Sequence, residues 1–191
     1  KTAYEIYQCD WSSDVCSSDL HGVDYRHRTL ESADLYHCPW GEEADAAMAR
    51  TFERLAECAD QDPSLHIESR FIQARRRAGG LVWFDFKTLC GGPRSQNDYL
   101  EIASQFHTVF LSDVPHMPVR MASEARRFTW LVDVLYDQKV KLIVSAECPP
   151  EALYTQGAMA GEFHRTVSRI AEMQSRDYLE APRRGVAARF T

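Results

Sequence analysis

No stretch of this sequence approaches the roughly 20 consecutive apolar residues that cross a bilayer, so no transmembrane segment is predicted. Basic residues are outnumbered by acidic ones, 22 to 28, and the net charge of −6 gives no electrostatic support for a nucleic-acid partner. The six cysteines form no CxxC pair and no zinc-like cluster with histidine, so no metal site is predicted. Free thiols of this kind indicate a reducing compartment, and we expect the bacterial cytoplasm.

A phosphate-binding loop of the form GxxxxGK[ST], whose glycine N–H groups surround phosphates, is also missing. The nearest glycine cluster is Gly91-Gly92-Pro93-Arg94-Ser95, which is better explained as a turn followed by a helix cap. Asp85 and Asp113 stand at the ends of predicted strands, but no second acid follows either of them. We therefore interpret both aspartates as caps or turn residues and not as magnesium ligands.

What the sequence does contain is the composition of a globular domain and an alternation of strands and helices. Hydrophobic residues make up 45% and charged residues 26%, which is enough apolar material for a core. Apolar runs predict strands at residues 81–86, 108–111 and 140–144, and helical spacing predicts helices at residues 95–106 and 123–136. This order predicts an α/β fold with a parallel sheet and helical crossovers.

The flanking regions add further elements. Residues 35–38 predict a short strand ended by Pro39, and residues 42–59 predict an amphipathic helix. Residues 65–74 predict a strand or one arm of a hairpin, which makes a strand-rich insertion ahead of the alternating region. A last helix is predicted at residues 162–178.

Both ends of the chain differ from the rest. Residues 1–20 have no periodicity, repeat Ser-Ser-Asp around Val15-Cys16, and include a stretch that a common sequencing-adapter sequence can encode. We predict that this segment is not native and leave it out of fold reasoning; a natural disordered tail is the alternative. Residues 181–191 are basic and are predicted to form a loose tail.

One pattern near the end of the chain suggests phosphate chemistry. The strand at residues 140–144 ends at Ser145, and Arg165 and Arg169 follow on a helix, four residues apart and so on one face. In AAA-type ATPases a polar strand end senses the γ-phosphate and a later arginine reaches a neighbour's nucleotide, because guanidinium binds phosphate oxygens in two places. From this pattern alone, surface ion pairs are the better explanation; the nearby acids are Glu162, Glu172 and Asp177.

Several longer segments resemble the ZapE-type family of cell-division P-loop ATPases, and the resemblance covers nearly all of residues 21–179. The matching segments are Gly22-Val23-Asp24-Tyr25-Arg26, Trp83-Phe84-Asp85-Phe86, Leu89-Cys90-Gly91-Gly92-Pro93-Arg94-Ser95-Gln96-Asn97-Asp98-Tyr99-Leu100, Ala125-Arg126-Arg127-Phe128, Leu131-Val132-Asp133, Tyr136-Asp137 and Arg165-Thr166-Val167-Ser168-Arg169-Ile170-Ala171-Glu172-Met173-Gln174-Ser175.

The resemblance implies a cytoplasmic, AAA-like ATPase whose bacterial members act on the division ring at the inner membrane and whose mitochondrial relatives work in protein quality control. The family's Walker A and Walker B motifs lie upstream of the point at which this sequence starts. Residues 21–180 are then the C-terminal part of an incomplete P-loop NTPase module. The intact parent would use ATP and Mg²⁺, whereas this fragment is expected to be inactive and to bind neither tightly.

The resemblance also implies roles for four arginines. Arg165 and Arg169 would be the catalytic pair, sensing or stabilising nucleotide phosphate, and Arg126 and Arg127 would contribute to nucleotide binding. A division-ring protein or another protein client would be the partner, and a homo-oligomer is compatible with this reading.

Two other readings stay open at this point. The first is a binding module without catalysis, in which the aromatic side chains of Trp83, Trp130 and Tyr154 dock a division or quality-control partner. The second is a truncated product without function, which predicts poor solubility because a cut through a parallel sheet exposes unpaired strand edges.

Overall fold

Seven strands and five α-helices make up the part of the chain that the structure, a computed structural model, describes: Leu30 and residues 33–184. The strands are β1 (Tyr36–His37), β2 (Ser64–Ile67), β3 (Arg70–Gln73), β4 (Arg76–Ala78), β5 (Leu81–Asp85), β6 (Thr108–Val114) and β7 (Lys141–Ala146). The helices are α1 (Glu42–Leu55), α2 (Gln96–Gln105), α3 (Ala122–Asp137), α4 (Ala160–Met173) and α5 (Arg176–Glu180). Single turns of other helix types lie at Lys87–Gly91, Val119–Met121 and Pro150–Ala152.

The main sheet has the strand order β1-β7-β6-β5-β4. Its first four strands are parallel, and β4 is antiparallel to β5. Helix α2 connects β5 to β6 and α3 connects β6 to β7, as parallel neighbours require a long crossover. The predicted α/β fold, with a mostly parallel sheet alternating with helices, is confirmed.

The strand-rich insertion lies between α1 and β5. Its first two strands, β2 and β3, pair antiparallel as a separate two-stranded sheet. The turn between them is made by Glu68 and Ser69, both with positive φ (45° and 66°). The chain then continues through β4, at the edge of the main sheet, into β5.

The central strands β5, β6 and β7 of the main sheet are buried on both faces, which explains their largely apolar sequences. In β5, Val82 and Phe84 face the core under α2, α3 and α4, whereas Leu81 and Trp83 face α1. Phe52 of α1 packs edge-on against Phe110 of β6, with ring centroids 5.2 Å apart. The sheet therefore separates two cores, and α4 belongs to the larger one.

Several element ends differ from the predicted ones. The helix predicted at 42–59 ends at Leu55, because Ala56 is extended. The strand predicted at 108–111 continues to Val114, since β6 pairs with Ala146 of β7 beyond a bulge. The helix predicted at 162–178 is two helices, α4 and α5, separated at Gln174 and Ser175.

Two other sequence predictions fall partly or wholly beyond the described residues. The segment 1–20 lies outside them, and so do residues 185–191 of the predicted tail. Residues 182–184 belong to no helix or strand. Among the described residues, no helix combines the length and the apolar character that a bilayer crossing needs.

Candidate functional site

Helix α4 is amphipathic, and its apolar side fixes the direction of its arginines. Phe163, Thr166 and Ile170 are buried against the core. The Phe163 ring stacks on Phe128 of α3 at 6.2 Å, and the Thr166 hydroxyl donates to Thr129 Oγ1 at 3.2 Å. These contacts hold α4 against α3, so side chains on the adjoining strip of α4 meet the polar side of α3.

Arg165 and Arg169 lie together on that strip, as their four-residue spacing predicts. Both reach the carboxylate of Asp133 on α3: Arg165 Nη2 lies 3.1 Å from Oδ2, and Arg169 Nη1 contacts Oδ1. One carboxylate thus serves two guanidinium groups. Both arginines therefore form ion pairs, as the alternative explanation expected. The acid they share is Asp133 of α3, however, and not Glu162, Glu172 or Asp177. No sequence pattern predicted Asp133 as the partner of these two arginines.

The surroundings of the two arginines differ. The side chain of Arg165 is 61% exposed, whereas that of Arg169 is 21% exposed. Arg169 also lies 4.8 Å from the centroid of the Tyr136 ring, and its Nη2 lies 3.8 Å from Asp137 Oδ1. The Tyr136 hydroxyl donates to Glu172 at 2.7 Å, a bond that raises the pKa of Tyr136 above its ordinary value.

Arg126 and Arg127 occupy a different part of α3. Arg126 Nε donates to the sulfur of Met159 at 3.4 Å, and Arg127 Nε donates to the carbonyl of Cys90 at 2.6 Å. Seven residues of helix, about 10 Å along the axis, separate Arg126 from Asp133. The structure therefore does not gather the four predicted arginines into one cluster.

A second polar cluster lies where the parallel strands end, and its central residue, Arg75, was missed by sequence reasoning. Arg75 Nε contacts Asp85 Oδ1 at the end of β5, and its Nη2 lies 2.6 Å from Asp113 Oδ2 in β6. Asp45 in the first turn of α1 lies 3.6 Å from Nη1. Arg75 stands in a run of three arginines after the hairpin, which gave no reason to single it out. We call these four residues the Arg75 cluster.

Hydroxyl groups connect this cluster to the sheet. Ser112 Oγ donates to Asp85 Oδ1 at 3.3 Å, and the backbone N–H of Asp113 donates to Ser145 Oγ at 3.2 Å. Burial raises the pKa of Asp113, Arg75 opposes this shift, and the neighbouring acids Asp45 and Asp85 add to it. Asp85 and Asp113 are thus ion-pair partners, a role beyond the caps or turn residues that the sequence suggests.

The arginines of α4 and the Arg75 cluster differ in the ligands that their charges suit. The Arg75 cluster holds three carboxylates around one guanidinium, so it carries an excess of negative charge and repels phosphate. Arg165 uses one of its five N–H donors in its described hydrogen bond and is otherwise largely in water. Among the described residues, no group of His, Cys, Asp and Glu side chains has the arrangement of a metal site. The face of α4 is therefore the better candidate for contact with phosphate.

The aromatic side chains that were expected to dock a partner are mostly buried. Trp83 is 4% exposed and Tyr154 is 2% exposed, because both pack in the core. Trp130 is half-buried against the same core. The prediction that Trp83 and Tyr154 dock a partner is therefore wrong.

Comparison with known proteins identifies close relatives. The profile of the AFG1-like ATPase family matches residues 15–182, beginning inside the segment 1–20. "Cell division protein ZapE" of Escherichia coli (strain K12) is 43% identical over 168 residues, covering 87% of this chain and 44% of that protein. "Lactation elevated protein 1 homolog B" of Danio rerio is 33% identical over 193 residues, covering 82% of this chain and 38% of that protein. The chain thus spans less than half the length of these relatives. No solved structure matches it.

Proposed function

The chain belongs to the AFG1-like ATPase family, and on that premise we propose that its α4 presents a phosphate-contacting arginine in a cell-division ATPase. The observation that carries the proposal is the position of Arg165, which projects from a helix that is firmly packed on its other side. A planar, permanently charged guanidinium suits phosphate oxygens. In phosphoryl transfer, such an arginine stabilises negative charge that develops in the transition state.

The described residues fit a contact with nucleotide phosphate but do not fit the cradle that holds the nucleotide. The α4 face offers guanidinium groups, which fit a phosphate. The Arg75 cluster does not fit a nucleotide cradle, because Asp45, Asp85 and Asp113 line it. The 191-residue sequence also contains no GxxxxGK[ST]. We therefore assign the triphosphate and its Mg²⁺ to residues outside this sequence, which α4 faces in the assembled ATPase, either within one polypeptide or across a subunit boundary.

The bacterial relative, named a cell division protein, supports the proposed biological setting. In this proposal the intact ATPase works in the bacterial cytoplasm, is recruited to the division site and remodels the division ring. The alternative of a non-catalytic docking module loses support because two of the three aromatic side chains on which it depends are buried.

A chimeric enzyme tests the proposal. The matching 168 residues of Escherichia coli ZapE are replaced by those of this chain, and phosphate release from ATP is measured with and without Arg165→Ala. We expect kcat to fall by about 100-fold or more, with kcat/KM falling equally, because the lost contact acts in the transition state. Circular dichroism would show that the variant remains folded.

The matched control is Arg176→Ala, which removes an exposed arginine from α5 that pairs with Glu180. This variant should keep the rate of the parent chimera. An unchanged rate in Arg165→Ala would refute the role of Arg165, and a folded chimera without ATPase activity would refute the assignment of this chain to the ATP-hydrolysing assembly.

A further inference from the structure

We infer that the two arginines of α4 have different roles. Arg165 leaves Asp133 to contact phosphate, whereas Arg169 keeps its contacts with α3. Asp133 is the positioning residue that holds Arg165 while no phosphate is bound. The inference rests on the proposed function for the identity of the ligand. The division of roles itself follows from the contacts on α3 and α4.

Arg169 is held from three sides. It contacts Asp133, lies within ion-pair distance of Asp137 and covers the ring of Tyr136. Tyr136 is itself fixed, because its hydroxyl donates to Glu172 and its ring stacks on Tyr178 with centroids 5.6 Å apart. Moving Arg169 would break several contacts at once, so this side chain stabilises the packing of α4 on α3.

Arg165 has a much weaker attachment. Its described ion pair is with Asp133 alone, and the guanidinium is mostly in water. An ion pair with one partner mostly in water is only weakly stabilising. A polyphosphate offers more charge and bidentate geometry, so it competes successfully with one shared carboxylate. Arg165 can therefore exchange partners without disturbing the core.

Asp133 suits this exchange because it has two partners. Its side chain is 18% exposed, and its helix is fixed by the fully buried neighbours Leu131 and Val132. Breaking a half-buried ion pair usually leaves an uncompensated charge, which is costly. Here Arg169 continues to neutralise Asp133 after Arg165 has left. The arrangement of two guanidinium groups on one carboxylate thus lowers the free-energy cost of releasing Arg165.

The test uses the 191-residue chain and inorganic tripolyphosphate. Arginine side chains are labelled with ¹⁵N, and the Nε–Hε signals of Arg165 and Arg169 are assigned with the Arg165→Lys and Arg169→Lys variants. We expect tripolyphosphate to shift the Arg165 signal progressively and to leave the Arg169 signal in place. In Asp133→Asn, which keeps the shape of the side chain, tripolyphosphate should bind about two- to fivefold more tightly, because a competing ion pair is lost.

Asp137→Asn is the matched control, since Asp137 lies on the same helix, is 60% exposed and is paired with Arg169 alone among the described ion pairs. It should leave the response of Arg165 unchanged. The inference is overturned if Arg169 responds first, if the two Asn variants behave alike, or if neither the wild type nor Asp133→Asn binds tripolyphosphate. If Arg165 responds as expected while the Arg165→Ala chimera keeps full ATPase activity, the proposed function fails and the division of roles stands.

Discussion

Lys141 is a charged side chain that the fold places almost out of contact with water. It is 8% exposed, and its Nζ donates to the carbonyls of Tyr178 at 2.7 Å and Ala181 at 2.8 Å. Burial, with a smaller contribution from Lys139, lowers the pKa of Lys141 to about 8. A neutral amine still has two N–H donors for these two carbonyls. The contact between β7 and the segment after α4 therefore survives loss of the proton.

The stability of the protein should consequently depend on pH through Lys141. The folded pKa is about 8 and the ordinary value is 10.5, so the folded state binds fewer protons than the unfolded state in this interval. The contribution of Lys141 to the unfolding free energy therefore rises from pH 8 to pH 10 and is lost as the pH falls through 8. Burial raises the pKa of Tyr178, so this phenol stays protonated in that window.

Urea denaturation at pH 7, 8.5 and 10 checks the prediction, with Lys141→Met as the reference. The difference in unfolding free energy between wild type and variant should move in favour of the wild type as the pH rises. Two curves that stay parallel over this range would mean that Lys141 does not release its proton in the folded state.

At the scale of elements, the sequence predicts what its periodicity encodes. The strands at 81–86 and 140–144 are found because β5 and β7 are buried on both faces and must be apolar throughout. The hairpin of the insertion is harder to predict from sequence. Its turn uses Glu68 and Ser69, where glycine or asparagine would give the usual signal for positive φ. Element types therefore follow from the periodicity of the sequence, whereas a turn whose residues lack the usual signal for positive φ does not.

The break between α4 and α5 belongs to the same scale and rests on one side chain. Apolar residues continue at helical spacing through Tyr178, so periodicity alone predicts a single helix. Ser175 is instead extended, and its Oγ accepts from the backbone N–H of Tyr178 at 3.3 Å, which starts a new helix. This cap also orients Tyr178 toward Lys141 and the core.

Ser175→Ala should therefore lower the unfolding free energy by about 1 kcal/mol, the usual contribution of an N-cap. Ser168→Ala is the control: Ser168 is exposed in the interior of α4 and its hydroxyl donates back to the carbonyl of His164. Alanine is at least as favourable there. Thermal and urea denaturation of the two variants would show the difference, and equal stabilities would contradict the capping role.

For the candidate site, sequence predicts the placement of side chains on one helix but not their partners. The four-residue spacing puts Arg165 and Arg169 on one face, which depends on local geometry alone. Their shared acid, Asp133, is 32 residues away from Arg165, and Arg75 is 38 residues from Asp113. Nothing in a sequence pattern selects one such pair among many arginines and acids, because the contact exists only after helices and strands have packed.

At the scale of the whole molecule, the Arg75 cluster joins three parts of the fold. Arg75 follows the hairpin of the insertion, and its N–H donates to Trp83 O of β5 at 2.7 Å. Its side chain then reaches the first turn of α1 and the ends of β5 and β6 through Asp45, Asp85 and Asp113. The three carboxylates repel one another when no cation lies between them, so the insertion, α1 and the sheet depend on this one guanidinium.

Arg75→Met should destabilise the protein at pH 7 by about 1–2 kcal/mol at low salt, a figure that allows for screening of a partly exposed cluster. Without Arg75, burial and the neighbouring acids raise the pKa of Asp113 unopposed, so the folded state holds this proton more tightly than the unfolded state. The destabilisation should therefore shrink as the pH falls toward 5, and Asp113→Asn should partly restore stability at pH 7. Arg76→Met is the matched control, because Arg76 also pairs with two acids, Asp60 and Glu53, but does not belong to the Arg75 cluster. Equal losses of stability in Arg75→Met and Arg76→Met at both pH 7 and pH 5 would contradict the prediction. Arg75 would then not act by relieving repulsion among the three carboxylates.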